Sequence, residues 1–131
     1  MNETPRRCVL DASAVLAYLQ REPGAEKITK HLDGGLLNAV NLSEVAGKLL
    51  EKGLLPAQVV EVIEALGLEV VSFDEDLAHR SALLRKHTRT LGLSLADRAC
   101  LATAQRLGLP AVTTDQTWVS MKAGIRIEPA R

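Results

Sequence analysis

Arg7-Cys8-Val9-Leu10-Asp11-Ala12-Ser13-Ala14-Val15-Leu16-Ala17-Tyr18-Leu19 changes its hydrophobic period partway along. Arg7 to Leu10 is a short run ending in apolar residues and reads as a strand. From Ala12 onward, Ala12, Val15, Leu16 and Leu19 recur at i, i+3, i+4 and i+7, the stripe of an amphipathic helix. An aspartate, Asp11, stands at the joint. A strand running directly into a helix is the first half of a β-α-β crossover, so this stretch predicts an α/β fold.

The same alternation continues downstream. Pro23-Gly24 interrupts the chain, and Ala25, Ile28 and Leu32 mark a second helix that stops at Asp33-Gly34-Gly35. Leu36 to Val40 reads as a second strand. Leu42, Val45, Ala46 and Leu49 line the next helix, which ends near Gly53. Pro56 suits the first turn of a helix carrying Val59, Val62, Ile63 and Leu66, closed by Gly67. Leu68 to Phe73 is a third strand. Asp74 caps a long helix with Leu77, Ser81, Leu84, Thr88 and Leu91 inward, broken at Gly92. Ser94 opens a helix whose Ala96, Ala99, Cys100, Thr103 and Leu107 form a small-residue face. Pro110 to Thr114 is a fourth strand and Ile125 to Glu128 a fifth. The expected architecture is a mainly parallel sheet of four or five strands, covered on both faces, in which ligands bind at the carboxyl ends of the strands.

The 131 residues suit a single domain, with a core from about residue 7 to residue 128. Aromatic residues make up 2%, so Leu, Val, Ile and Ala fill the core and no platform of stacked rings awaits single-stranded bases. Sixteen basic and sixteen acidic residues cancel, which excludes a protein that grips nucleic acid by overall charge and leaves only a local site. Cys8 and Cys100 form no C-x-x-C pair and read as small buried hydrophobes. The start, MNETPRR, lacks the apolar stretch of a signal peptide, and no apolar run has the length of a membrane span. A cytoplasmic protein without membrane attachment is expected.

Four acids fall where the sheet rule directs attention. Asp11 follows strand one and Asp115 follows strand four. Glu44 and Asp97 are placed in the first turns of the helices after strand two and after Ser94. Each alone is equally explained as a helix cap: Asn41-Leu42-Ser43-Glu44 resembles a capping box, and Ser94-Leu95-Ala96-Asp97 fits the pattern outright. Brought together they are not so explained. A cap contributes ~1 kcal/mol, whereas two carboxylates about 4 Å apart repel by ~4 kcal/mol at an effective dielectric near 20. A divalent cation resolves the conflict, and oxygen donors without His or Cys suit Mg²⁺ or Mn²⁺.

The residues around these acids, Val9-Leu10-Asp11-Ala12-Ser13-Ala14, Asn41-Leu42-Ser43-Glu44-Val45, Leu93-Ser94-Leu95-Ala96-Asp97-Arg98-Ala99 and Val112-Thr113-Thr114-Asp115, resemble the four acidic motifs of PIN domains in order and spacing. The resemblance runs from Cys8 to about Ile127 and is closest to the VapC-type toxins of bacterial toxin–antitoxin pairs. It implies a Rossmann-like three-layer α/β/α fold and a Mg²⁺-dependent endoribonuclease, with Mn²⁺ able to substitute. It also implies homodimers and a cognate VapB-type antitoxin. The metal positions it implies are Asp11, Asp97, Glu44 and Asp115. Motif four departs from close relatives, which often have a basic residue soon after the acid, where this chain reads Asp115-Gln116-Thr117-Trp118.

Around the acids, Ser13 and Thr114 are candidates to orient water or a phosphate oxygen, as are Ser43 and Thr113, and ordinary hydrogen bonding at helix starts explains them equally. Arg85-Lys86-His87-Thr88-Arg89 is the densest basic stretch. Arg85, Arg89 and Arg98 are candidate contacts to RNA phosphates, against the alternative of solvated helix faces. Trp118 either stacks on a base or anchors packing. His31, His79 and His87 fall at unrelated spacings and read as exposed. Ser13, two residues after Asp11, stands where a haloacid-dehalogenase-type phosphatase needs a second Asp, and no phosphate-cradling glycine loop occurs. A PIN nuclease of RNA processing and a non-catalytic binding module that kept the fold are the other readings.

Overall fold

Val9–Leu10 forms β1, paired in parallel with Leu36–Asn38 (β2) on one side and Ala111–Thr113 (β4) on the other. Glu69–Val71 (β3) extends the sheet beyond β2, and Ile127–Pro129 (β5) extends it beyond β4. This computed structural model describes residues 7–120 and 124–129. Among the described residues the sheet has five strands in the order β3-β2-β1-β4-β5, all parallel. The chain therefore winds outward from β1 to β3, then returns to lay β4 on the other side of β1. The strand order reverses at the β1–β4 boundary, where a doubly wound sheet opens a crevice at its carboxyl edge.

The two-residue period of the strands divides the interior. Val9 lies in register with Leu36 and Ala111, and all three are buried on one face among Leu77, Leu84, Leu101 and Trp118. Leu10 lies in register with Leu37 and Val112, and these face Val15, Ile28, Val45, Leu49 and Val59 on the other. Burial of each such side chain contributes about 1.5–3 kcal/mol. The helices Ala12–Leu19 (α1), Ala25–Leu32 (α2), Ala39–Glu51 (α3) and Pro56–Glu64 (α4) supply the second face. Glu75–Thr88 (α5) and Leu95–Leu107 (α6) supply the first. This is the three-layer α/β/α arrangement expected from the sequence.

Several boundaries differ from the sequence reading. β2 ends at Asn38 because Asn38, in extended conformation, accepts a hydrogen bond from Val40 N at 2.9 Å and starts α3 there. Glu44 consequently sits in the second turn of α3, not the first, and the reading of Asn41 to Glu44 as a capping box is wrong. The long helix after Asp74 ends at Thr88, and Leu91 lies in a tighter 3₁₀ turn, Arg89–Leu91, that closes at Gly92 with φ 64°. Leu107, placed inward by its spacing, is 43% exposed.

Gly35 has a steric reason. A Cβ there would lie 2.2 Å from the carbonyl oxygen of His31 and 2.8 Å from Leu10 Cδ1, so only glycine lets the end of α2 lie this close to β1. Among the described residues no helix is long and apolar enough to cross a membrane. The reading of MNETPRR falls on residues 1–6, outside the described residues, apart from Arg7.

Candidate metal centre at the carboxyl edge

Asp11 leaves β1 as the N-cap of α1 and is 2% exposed. Its Oδ1 accepts hydrogen bonds from Ala14 N (2.8 Å) and Ser13 Oγ (2.7 Å), and its Oδ2 accepts one from Thr113 Oγ1 (2.6 Å). All three bonds favour the ionised form. Burial outweighs them, and with a smaller contribution from the charge of Asp97 it raises the carboxyl from an ordinary 3.8 to about 6. An acid placed this way is short of positive charge, not of hydrogen bonds.

Asp97 lies in the first turn of α6, where the predicted capping box is present. Ser94 Oγ accepts from Asp97 N at 3.1 Å, and Asp97 Oδ2 accepts from Ser94 N at 2.9 Å. Its negative charge raises the pKa of Asp11 and also that of exposed Glu44, for which partial burial is the larger cause and Lys48 opposes. Asp97 is thus electrostatically coupled to acids from two other elements.

Asp115 follows β4. Its Oδ1 accepts from Thr117 N (2.9 Å) and Thr117 Oγ1 (2.7 Å), and its backbone N donates to Thr113 Oγ1 at 3.0 Å. Thr113 therefore connects Asp115 to Asp11 across the β1–β4 crevice. Asp97 is within electrostatic reach of Asp11 and Glu44, and Asp115 is tied to Asp11 through Thr113, but the acids do not close into a tight cage. Among the described residues, the donor group whose atoms all lie within 4.8 Å of one another is Cys8, His31 and Glu128, not these acids. An open, all-oxygen set around a buried carboxylate of raised pKa fits a cation such as Mg²⁺, which retains much of its water and takes few carboxylates directly.

The other candidates are placed as follows. Ser13 Oγ is committed to Asp11 and also accepts from Thr114 N at 3.1 Å. Arg98 reaches away from the acids, donating from Nη1 to the carbonyl of Ser81 on α5 at 3.0 Å. Arg85 and Arg89 stand exposed at the end of α5 and in the turn that follows. Trp118 is fully buried beneath the first face of the sheet, a packing anchor and not a stacking surface. His79 is exposed, but His31 is not as read: its side chain is 13% exposed between Cys8 and Glu128. The reading of His87 as exposed falls on a side chain outside the described ones.

The sequence reading missed the residue that joins the acid-bearing helices. Asn41, 1% exposed on α3, accepts from Ala12 N at the start of α1 (3.0 Å) and donates to the Ala96 carbonyl at the start of α6 (3.1 Å). It thereby joins the helix that follows Asp11, the helix of Glu44 and the residue next to Asp97. The signal was present: Asn41, Val45 and Leu49 recur every four residues on the buried face of α3, and a polar residue in such a row needs internal partners. Asn38 and Thr103 form a second buried tie, with Asn38 Nδ2 donating to Thr103 Oγ1 at 3.0 Å.

The sequence matches the PIN domain family from residue 8 to residue 123. The chain belongs to the PIN domain family. Comparison with curated proteins gave no match. Among solved structures, this PIN domain is similar in fold to a chain of a toxin–antitoxin complex from Klebsiella pneumoniae, with a TM-score of 0.76 at 19% identity, covering 95% of this chain and 98% of that one. It is similar to a chain of a DNA-bound VapBC from Salmonella typhimurium, with a TM-score of 0.73 at 22% identity, over 98% and 100% of the two chains. It also resembles a chain of VapBC-5 from Mycobacterium tuberculosis, with a TM-score of 0.61 at 22% identity, over 97% and 99%.

Proposed function

We propose that this PIN domain is a divalent-metal-dependent endoribonuclease, the toxin of a pair with a VapB-type antitoxin, that hydrolyses RNA phosphodiester bonds. The observation that carries the reading is Asp11: a buried carboxylate raised to about 6, beside the negative charge of Asp97, at the crevice where the strand order reverses. Asp11 and Asp97 hold the ion, and Glu44 and Asp115 complete its oxygen set. Bound there, Mg²⁺ or Mn²⁺ supplies the charge that acidifies water and stabilises negative charge on the phosphate.

The chain's own groups supply the rest. Ser13 and Thr113 fix both oxygens of Asp11, so the carboxylate presents one orientation. Glu44, exposed and with its pKa raised by partial burial and the charge of Asp97, is the acid we assign to orienting the attacking water. Thr114, whose backbone N donates to Ser13 Oγ beside Asp11, is a candidate contact to the phosphate, and Arg85 and Arg89 offer exposed cations to the RNA backbone, which Arg98, held by the Ser81 carbonyl, does not. Leu50, Leu55 and Val60 are exposed in α3, before α4 and in α4, apolar side chains available to an antitoxin or a second copy of the chain. The solved complexes of similar chains with antitoxins support the pairing.

The test is RNA cleavage by the purified chain and its Asp11→Asn and Asp97→Asn variants, with Mg²⁺, with Mn²⁺ and with EDTA. Cleavage is expected only with metal and only in the unsubstituted chain; activity that survives EDTA or both substitutions overturns the reading. Growth arrest on expression, relieved by Asp11→Asn and by co-expression of a small antitoxin encoded beside it, separates a toxin from a nuclease of RNA processing.

A further inference from the structure

At the opposite end of β1 from Asp11 lies a second group of donor side chains that the nuclease reading does not use. Cys8 immediately precedes β1, is 2% exposed and is not disulfide-bonded. His31 lies in the last turn of α2, with Nδ1 3.3 Å from Cys8 Sγ. Glu128 lies on β5, in register with Val112, and its Oε2 is 3.6 Å from His31 Nε2. Cys8, Leu10 and Val112 pack in the same core layer, beneath α2, so three elements remote in sequence deliver a thiol, an imidazole and a carboxylate to one side of the sheet.

We infer that Cys8, His31 and Glu128 form a binding site for a thiophilic divalent cation of the Zn²⁺ class, separate from the acid cluster. Zn–S of ~2.3 Å and Zn–N of ~2.0–2.1 Å in tetrahedral geometry put sulfur and nitrogen about 3.5 Å apart, close to the 3.3 Å between Sγ and Nδ1. At 3.6 Å, Glu128 is too far from Nε2 for a hydrogen bond, so the carboxylate is near the imidazole without being bonded to it. One donor atom from each residue lies within 4.8 Å of the others. The two contacts fall on different nitrogens of the ring, Nδ1 and Nε2, so closing the set on one of them requires Glu128 to turn toward Cys8. Glu128 has room to turn: its side chain is 30% exposed on an edge strand, and among the described residues its second oxygen meets exposed Arg126 at 3.4 Å.

The donor chemistry separates this site from the acid cluster. Thiolate and imidazole favour Zn²⁺ over Mg²⁺, whereas an all-oxygen cluster suits Mg²⁺ or Mn²⁺ and offers no thiolate. Three protein ligands leave a fourth position for water or an incoming group, and the bound ion would fasten α2 and β5 to the start of β1.

The experiment is a Co²⁺ and Zn²⁺ titration of the chelator-stripped full chain, read by thiolate-to-cobalt charge-transfer absorption and by melting temperature. A charge-transfer band that saturates at one thiolate-bound Co²⁺ per chain is expected, with a rise in melting temperature beyond the one Mg²⁺ gives through the acid cluster. Band and rise are expected to vanish in Cys8→Ser and in His31→Gln, to weaken in Glu128→Gln, and to persist in Asp11→Asn. The three variants cover the event that one fails to fold, because His31 and Glu128 are not core-filling residues. Absence of the band from the unsubstituted chain, or Zn²⁺ binding that His31→Gln leaves intact and Asp11→Asn removes, overturns the inference. Nuclease activity is not read, so the outcome stands apart from that of the proposed function.

Discussion

Thr113 Oγ1 lies 2.6 Å from Asp11 Oδ2, and the same hydroxyl oxygen accepts the backbone N–H of Asp115 at 3.0 Å. One buried hydroxyl therefore holds both the most buried acid of the site and the backbone of Asp115. Its proton is committed to Asp11, because the Asp115 amide can only donate. The strand order places β1 beside β4, and this bond fixes how the two strand ends face each other.

Thr113→Val keeps the shape of the side chain and removes the hydroxyl, so it isolates this contact. It strips a partner from both Asp11 and the Asp115 amide, and is expected to destabilise the protein by about 1–3 kcal/mol. Because the Thr113 bond lowers the Asp11 pKa, its loss raises that pKa further, and the penalty should be larger at pH 7.5 than at pH 5. Urea unfolding at the two pH values checks this, with Thr113→Ser expected to restore most of the loss. An equal penalty at both would show that the bond does not favour the charged carboxylate.

Asp11 carries its own pH signature. Its folded pKa of about 6 lies above the ordinary 3.8, so between those values the folded state holds more protons than the unfolded one. The metal-free protein is then most favoured, as far as this group is concerned, below about pH 4, and loses that contribution as pH rises through 6. A shift of about two units corresponds to roughly 3 kcal/mol. Asp11→Asn removes the charge and is expected to be more stable than the unsubstituted chain at pH 7.5 in EDTA, with the difference shrinking toward pH 4. Added Mg²⁺ should stabilise the unsubstituted chain and leave the variant unchanged. Denaturation of both proteins across this range, with and without metal, supplies the comparison.

Most of the fold was legible because the hydrophobic period changes at each strand–helix joint and glycines mark the stops. The period cannot show which turn a polar side chain caps, and the misplacement of Glu44 came from that gap. Asn38, Asn41 and Ser43 all suit a helix start, and Asn38 starts α3 because its side chain receives Val40 N, a choice made by the backbone geometry at the end of β2. The acid positions were legible from motif order, but the ties holding them were not. Asn41 and Thr113 act through partners 29 to 102 residues away, and no local pattern records such distances. His31 was misread for the same reason: its exposure depends on β5, nearly a hundred residues later in the chain.

Asn41 is expected to behave as a positioning residue. Asn41→Ala leaves Ala12 N and the Ala96 carbonyl unpaired in a buried place, at about 1–3 kcal/mol for each stranded group. The helix starts beside Asp11 and Asp97 then lose their common tether, and metal-dependent cleavage should fall by roughly 10–100-fold, the usual scale for groups that orient metal ligands. A merely structural role predicts lost stability with an unchanged Mg²⁺ requirement. A positioning role predicts that the folded variant needs more Mg²⁺ for half-maximal activity, and titration of cleavage against Mg²⁺ distinguishes the two.

Gly35 and Gly47 should respond to alanine in opposite directions. At Gly35 the added Cβ would meet the His31 carbonyl at 2.2 Å and Leu10 Cδ1 at 2.8 Å, and backbone on one side and core on the other leave neither able to yield easily. Gly35→Ala is expected to destabilise by about 1–3 kcal/mol, the range for overpacking, and to disturb the end of α2 that carries His31. Gly47 lies inside α3 with nothing within 4 Å of its added Cβ, so only helix propensity applies, and Gly47→Ala should stabilise by about 0.5–1 kcal/mol. Thermal unfolding of the two variants in EDTA gives the signs directly. If Gly47→Ala destabilises instead, that surface of α3 is filled by something other than solvent, such as a second copy of the chain. A concentration-dependent melting temperature would then identify that contact.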